Sequence, residues 1–93
     1  MSVSIKKLSD DVFEVTVVKT STTTHTVTVT DQSLTDLTDN NATKTHLLDF
    51  SFKFLLEREP NTSILSSFDI NVITKYFPDY REEVRRWCNE SQN

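Results

Sequence analysis

Residues Lys19 to Asp31 read KTSTTTHTVTVTD, a stretch with seven threonines and one histidine. It is open to four readings: a disordered polar tract, a modified stalk, a metal or catalytic site, or ordinary secondary structure. Parity decides between them. Thr24, Thr26, Thr28 and Thr30 share one parity, and His25, Val27 and Val29 share the other. Side chains of a strand alternate between its two faces, and β-branched threonine and valine sit well on a pleated surface. The tract therefore reads as a strand at or near a sheet edge. Its threonine face looks to water, and His25, Val27 and Val29 look to a core. An edge strand leaves main-chain groups free to pair with another chain.

The same period extends toward the N-terminus. Phe13, Val15 and Val17 alternate with Glu14 and Thr16, and Val3 and Ile5 alternate with Ser2, Ser4 and Lys6. Ser9-Asp10-Asp11 between them is a turn signal. The link at Thr20-Ser21-Thr22 lacks the Asn-Gly or Asp-Gly of a tight hairpin, so a longer or irregular loop is expected there.

After Asp31 the period changes to that of helices. Asp31 is placed to cap a short helix carrying Leu34 and Leu37. Asp39-Asn40-Asn41 reads as a loop. A longer helix is predicted from about Thr43 to Glu59, with Leu47, Leu48, Phe52, Leu55 and Leu56 on one face, widened by Phe50 and Phe54. Pro60 ends it. Asn61-Thr62-Ser63 suits a short helical turn before Ile64 and Leu65. Asp69 is placed to cap a helix with Ile70, Ile73 and Phe77 on one side. Pro78 stops that helix, and Asp79-Tyr80-Arg81-Glu82 resembles a capping box opening the last one. That helix carries Tyr80, Val84, Trp87 and Cys88 on its apolar side. The expected fold is α+β: a three-stranded antiparallel β-meander followed by three to four helices packed on one face. It forms one small domain over residues 1–93, with strands within about 2–30, helices within about 31–90 and a frayed C-terminal tail.

Composition narrows the function classes. The chain contains no glycine. Phosphate-cradling loops, dinucleotide fingerprints and nucleophile elbows all depend on glycine for positive φ or close backbone approach, so all are excluded. The single cysteine, Cys88, makes no internal disulfide, and a reducing compartment follows as the natural expectation. The start, Met1 to Lys7, lacks the apolar run of a secretory signal. The longest apolar runs are far shorter than the ~20 residues of a membrane span, so a cytoplasmic location without membrane contact is expected. The net charge is −4, spread over both halves of the chain, which gives no general attraction to phosphate.

Candidate chemistry is sparse. His25 is a possible base or ligand, but its place on an apolar strand face suits a histidine at the core rim. His46 and Asp49 are three apart on a predicted helix, where they are neighbours, and a site with His25 would need strand and helix to converge. Two histidines and one distant cysteine are not a zinc signature. Arg81, Arg85 and Arg86 are the one local concentration of arginine. With Lys75, Tyr76 and Tyr80 they are candidates for contacting phosphate and stacking a base, although Glu82, Glu83 and Glu90 offset their field.

The stretch FLLEREPNTSILSSFDINVITKYFPDY, Phe54 to Tyr80, resembles a recurring pattern in short uncharacterised bacterial proteins. The resemblance implies a strand-rich start ahead of a helical half and a bacterial cytosolic origin. It supplies no activity and no site residues. Three functions stay open: a small non-enzymatic protein-interaction or regulatory domain, a nucleic-acid-binding module using Arg81, Arg85 and Arg86, and an enzyme with a His-carboxylate site. The first is preferred, with no catalytic residues, cofactor or metal expected. Its candidate interaction surface is Thr24, Thr26 and Thr28 together with Arg81, Arg85 and Arg86. A protein partner is expected rather than nucleic acid, with the chain a monomer or weak homodimer.

Overall fold

The computed structural model describes residues 1–91. Three strands come first, β1 (Ser2–Lys7), β2 (Val12–Val18) and β3 (Thr22–Thr28). Helices α1 (Asp31–Thr38) and α2 (Lys44–Leu56) follow. A 3₁₀ turn at Asn61–Ser63 leads into a fourth strand, β4 (Ser67–Asp69). Helices α3 (Val72–Tyr76) and α4 (Tyr80–Ser91) complete the chain.

The sheet order is β1-β2-β3-β4. The first two pairings are antiparallel, as alternation and short connections require, while β3 and β4 pair in parallel. The expected three-stranded antiparallel meander is thus corrected to a four-stranded mixed sheet. Parallel neighbours need a long crossover, and here α1, α2 and the 3₁₀ turn supply it. The correction also moves the open edge. β4 covers the C-terminal half of β3: the Thr26 amide donates to the Ser66 carbonyl at 2.8 Å, and the Ile70 amide to the Thr28 carbonyl at 3.0 Å. The longer free edge belongs to β1, where Lys6 and Lys7 guard it against indiscriminate pairing.

One face of the sheet is dry. Phe13, Val15, Val17, His25, Val27 and Val29 are buried there beneath the helices, against Leu47, Leu48, Phe52 and Leu55 of α2 and Tyr80, Val84 and Cys88 of α4. The other face carries half-buried or exposed polar residues in register, for example the row Lys6, Glu14, Thr26 and Ser67. Helices on one face and water on the other is the arrangement the alternation predicts.

The helix ends show how a chain without glycine turns. Thr30, not Asp31, caps α1: its hydroxyl accepts from the Ser33 amide at 3.1 Å. Asp31 is left free to pair with Lys44 at 2.8 Å. Asp39 and Asn40 then take the left-handed conformation, with φ of 54° and 61°, which Asp and Asn tolerate better than other non-glycine residues. Thr43 caps α2 through the His46 amide. That helix ends at Leu56, three residues short of the predicted Glu59. Asp79 forms no side-chain cap on α4 and pairs instead with Arg58 at 3.1 Å.

A buried polar pair fixes α4 to α2. Ser51 Oγ donates to the Leu47 carbonyl and accepts from the Tyr80 hydroxyl, each at 2.6 Å. Tyr80 is fully buried, and burial pushes its hydroxyl well above the ordinary tyrosine range. Inside a low-dielectric core such a satisfied pair selects one docking of the two helices.

Candidate functional site

The segment after α2 builds an apolar cleft of about 400 Å³ beside β4. One wall is Leu55 of α2 with Glu59 just beyond it, and the floor is Ile64 and Phe68, with Leu65 rising from it to the rim. The opposite wall is α3, with Ile73, Tyr76 and Phe77. Pro60 cannot extend α2, so the chain leaves the helix in an extended conformation and folds back through the 3₁₀ turn. β4 then pairs with β3 for only three residues before α3 begins. The gap between those elements is the cleft. Its rim carries two exposed apolar side chains: Leu65 is 47% exposed and Tyr76 66% exposed. Glu59 is half-buried and makes no ion pair among the described residues.

The floor is pinned from below by a hydrogen-bonded chain. Asn61, buried, donates through Nδ2 to the Ser21 carbonyl and to Thr23 Oγ1, both at 3.0 Å. His25 Nε2 lies 2.8 Å from Thr23 Oγ1, and His25 Nδ1 lies 2.7 Å from the Leu65 carbonyl. A carbonyl only accepts, so Nδ1 carries the proton and donates to Leu65. Nε2 then accepts from the Thr23 hydroxyl, which itself accepts from Asn61. With Nδ1 donating to Leu65 and Nε2 accepting from Thr23, every group in the chain has a partner. His25 also packs against the Phe52 ring, centroid to centroid 5.4 Å. It is thus a structural link between β3 and the cleft floor.

His46 is not brought to it. It sits exposed in the first turn of α2, six residues before Phe52, or about 9 Å along the axis. Its expected neighbour Asp49 pairs with Lys53 at 2.9 Å instead. No cluster of three or more His, Cys, Asp or Glu placed to hold a metal occurs among the described residues.

The remaining sequence candidates lie on separate surfaces. Thr24, Thr26 and Thr28 point from the outer face of the sheet, Thr24 exposed and the other two half-buried. Main-chain groups of Thr26 and Thr28 are already paired with the β4 segment. Arg81, Arg85 and Arg86 are exposed on α4, in the helical layer across the sheet from the threonines. Arg86 pairs with Glu83 at 2.9 Å. Burial pushes the Cys88 thiol up, against a smaller opposing pull from Arg85. A second hollow of about 330 Å³ lies where Trp87 stacks on Phe50 at 4.8 Å. Its margin sets Asp49, Glu57 and Glu83 against Lys53 and Arg58, a net charge of only −1.

Asn61, Leu65 and Glu59 carry no site reading in the sequence, and Tyr76 enters it only as a base-stacking partner of the α4 arginines, whereas the structure places it on the cleft. Leu65 and Tyr76 fit a core pattern as well as a surface one, and nothing local marks either as exposed. No helix among the described residues is long and apolar enough to cross a membrane. Comparison with family models, curated proteins and solved structures finds no match to this chain.

Proposed function

We propose that the chain is a non-enzymatic protein-interaction domain and that the cleft beside β4 is its binding site. The observation that carries this reading is the cleft's apolar lining, with Leu65 and Tyr76 left open to solvent at its rim. A concave, mostly apolar site with a few polar groups at its margin is the usual form of a binding site, and large exposed apolar side chains clustered on a small domain mark contact surfaces. The histidine most suggestive of chemistry is consumed in holding the floor, with both ring nitrogens engaged, which supports recognition over catalysis.

The test uses the immobilised chain and a Leu65→Ser/Tyr76→Ser variant side by side, each exposed to lysate of the source cell. Both positions are solvent-exposed, so the variant keeps its fold, checked by circular dichroism. Proteins retained by the native chain and lost from the variant support the reading. Identical retention by both overturns it.

A further inference from the structure

We propose that the cleft's occupant is an extended segment of a partner protein, added as a fifth strand along β4, with an apolar side chain in the cleft and a neighbouring lysine or arginine facing Glu59. This rests on the binding-site reading above and specifies its partner. The first support is the unpaired edge. In the parallel pairing, Ser66, Phe68 and Ile70 direct their main-chain groups at β3, as the Thr26-to-Ser66 and Ile70-to-Thr28 bonds show. The main-chain groups of Ser67 and Asp69 therefore face the other way, and among the described residues no backbone hydrogen bond engages them outside the ladder. They are the outermost groups of the sheet on that side. Strand addition to such an edge gives affinity through main-chain bonds and specificity through pockets for alternate side chains.

The second support is where the cleft lies. Phe68 is in register with buried Val27, on the helical side of the sheet, and lines the cleft. A strand laid along β4 sits about 4.8 Å further out. Its side chains on the helical side then reach the space between Leu65 and Tyr76. One alternate residue of the segment is seated there, while its neighbours point to the polar face or to water.

The third support is charge. Among the described residues, Glu59 is the one charged residue lining the cleft, and it is half-buried without an ion-pair partner. It stands just beyond the C-terminus of α2, where the helix dipole adds partial negative charge. A cation on the incoming segment compensates both, and the net charge of −4 favours its approach. Lys75 is on α3 but is not part of the cleft lining.

The experiment pans a phage-displayed library of random linear peptides on the native chain, with the Leu65→Ser/Tyr76→Ser variant as counter-target. Enriched peptides are then synthesised and titrated. Expected are peptides with one large apolar residue next to lysine or arginine. Their binding is weakened at least about fivefold by Glu59→Lys, in line with loss of a partly exposed ion pair and a new repulsion. It is abolished by Ser67→Pro, which blocks the outward edge while removing no ladder bond. On binding, the Ser67 and Asp69 amides of the native chain slow in hydrogen exchange. That readout stands even where Ser67→Pro perturbs the fold. Peptides that need Leu65 and Tyr76 but leave both amides exchanging freely overturn the strand mode and leave the binding-site reading intact. Peptides indifferent to Glu59→Lys overturn the cationic neighbour. Failure to enrich any peptide that distinguishes the native chain from the counter-target overturns both readings.

Discussion

Replacing His25 with phenylalanine isolates the hydrogen-bonded chain beneath the cleft from the packing around it. A phenyl ring keeps the contact with Phe52, now 5.4 Å between centroids, and removes only the two polar partners. The Leu65 carbonyl loses its donor and the Thr23 hydroxyl loses its acceptor. A neutral hydrogen bond contributes about 1 kcal/mol net, and a group left unsatisfied away from water costs somewhat more. The expected loss is about 2 kcal/mol, a large share of the ~5–15 kcal/mol that holds a domain folded. For a chain of this length it corresponds to a fall in Tm of about 8–16 °C. Urea unfolding followed by Trp87, the sole tryptophan, measures it. The chain of bonds also predicts coupling. In a cycle with Asn61→Ala, the double variant should lose less than the sum of the singles, because both act through Thr23. A change below about 0.5 kcal/mol, the range of an ordinary surface substitution, or strict additivity, would show that His25 is not bonded in this way.

Three other substitutions probe the frame around the site. Phe52→Ala should cost about 3–5 kcal/mol, because Phe52 is fully buried between His25 and Phe68 and its loss leaves a cavity; a denaturant midpoint unchanged from the native chain would remove it from the core. Tyr80→Phe should cost about 1 kcal/mol by deleting the bond to Ser51 without creating a cavity, measurable by the same titration, and no change would mean that the pair does not fix α4. Lys44 joins Asp11 at 3.0 Å and Asp31 at 2.8 Å, and also reaches the Asp10 carbonyl. Its hydrogen bond and attraction lower the Asp31 carboxyl, and the same hydrogen bond raises the Lys44 ammonium. The Asp31 contribution is thus present above the ordinary carboxylate range near pH 4 and is lost as acid protonates it, while that of Lys44 is present below the ordinary lysine range near pH 10 and is lost as base removes its proton. Lys44→Met should flatten both arms of the stability profile, and identical profiles for the two proteins would show that the cluster contributes nothing.

Much of this architecture was legible because burial writes a period into a chain. Phe13-Val15-Val17 and His25-Val27-Val29 alternate since one face of the sheet is dry, and the stripe of α2 is wide since it meets strands and α4 together. β4 left no such mark. Three residues, Ser67-Phe68-Asp69, are too few to show alternation, and their extended state comes from pairing with β3, 41 residues earlier in sequence. That strand in turn changes what the threonine tract means. Its outward side chains were readable, but the edge they were expected to border is half covered. The cap of α1 was misplaced by one residue because threonine and aspartate are both competent caps, and only the lysine of α2 explains why Asp31 is wanted elsewhere. The cleft was invisible for a related reason. Most of its apolar lining residues read as core one by one, and they share one hollow only once the Pro60 turn and the short β4 bring the end of α2 and α3 together.

If partners dock in the cleft between α2, β4 and α3, the amides around it must respond when a partner arrives. The labelled chain is titrated with a partner segment recovered by cleft-dependent capture and followed by amide chemical shifts. Expected are perturbations gathered at Glu59, Ile64 to Asp69 and Val72 to Phe77, with little change at β1 or α4. Perturbations centred instead on Arg81, Arg85 and Arg86, or along the β1 edge, would contradict it.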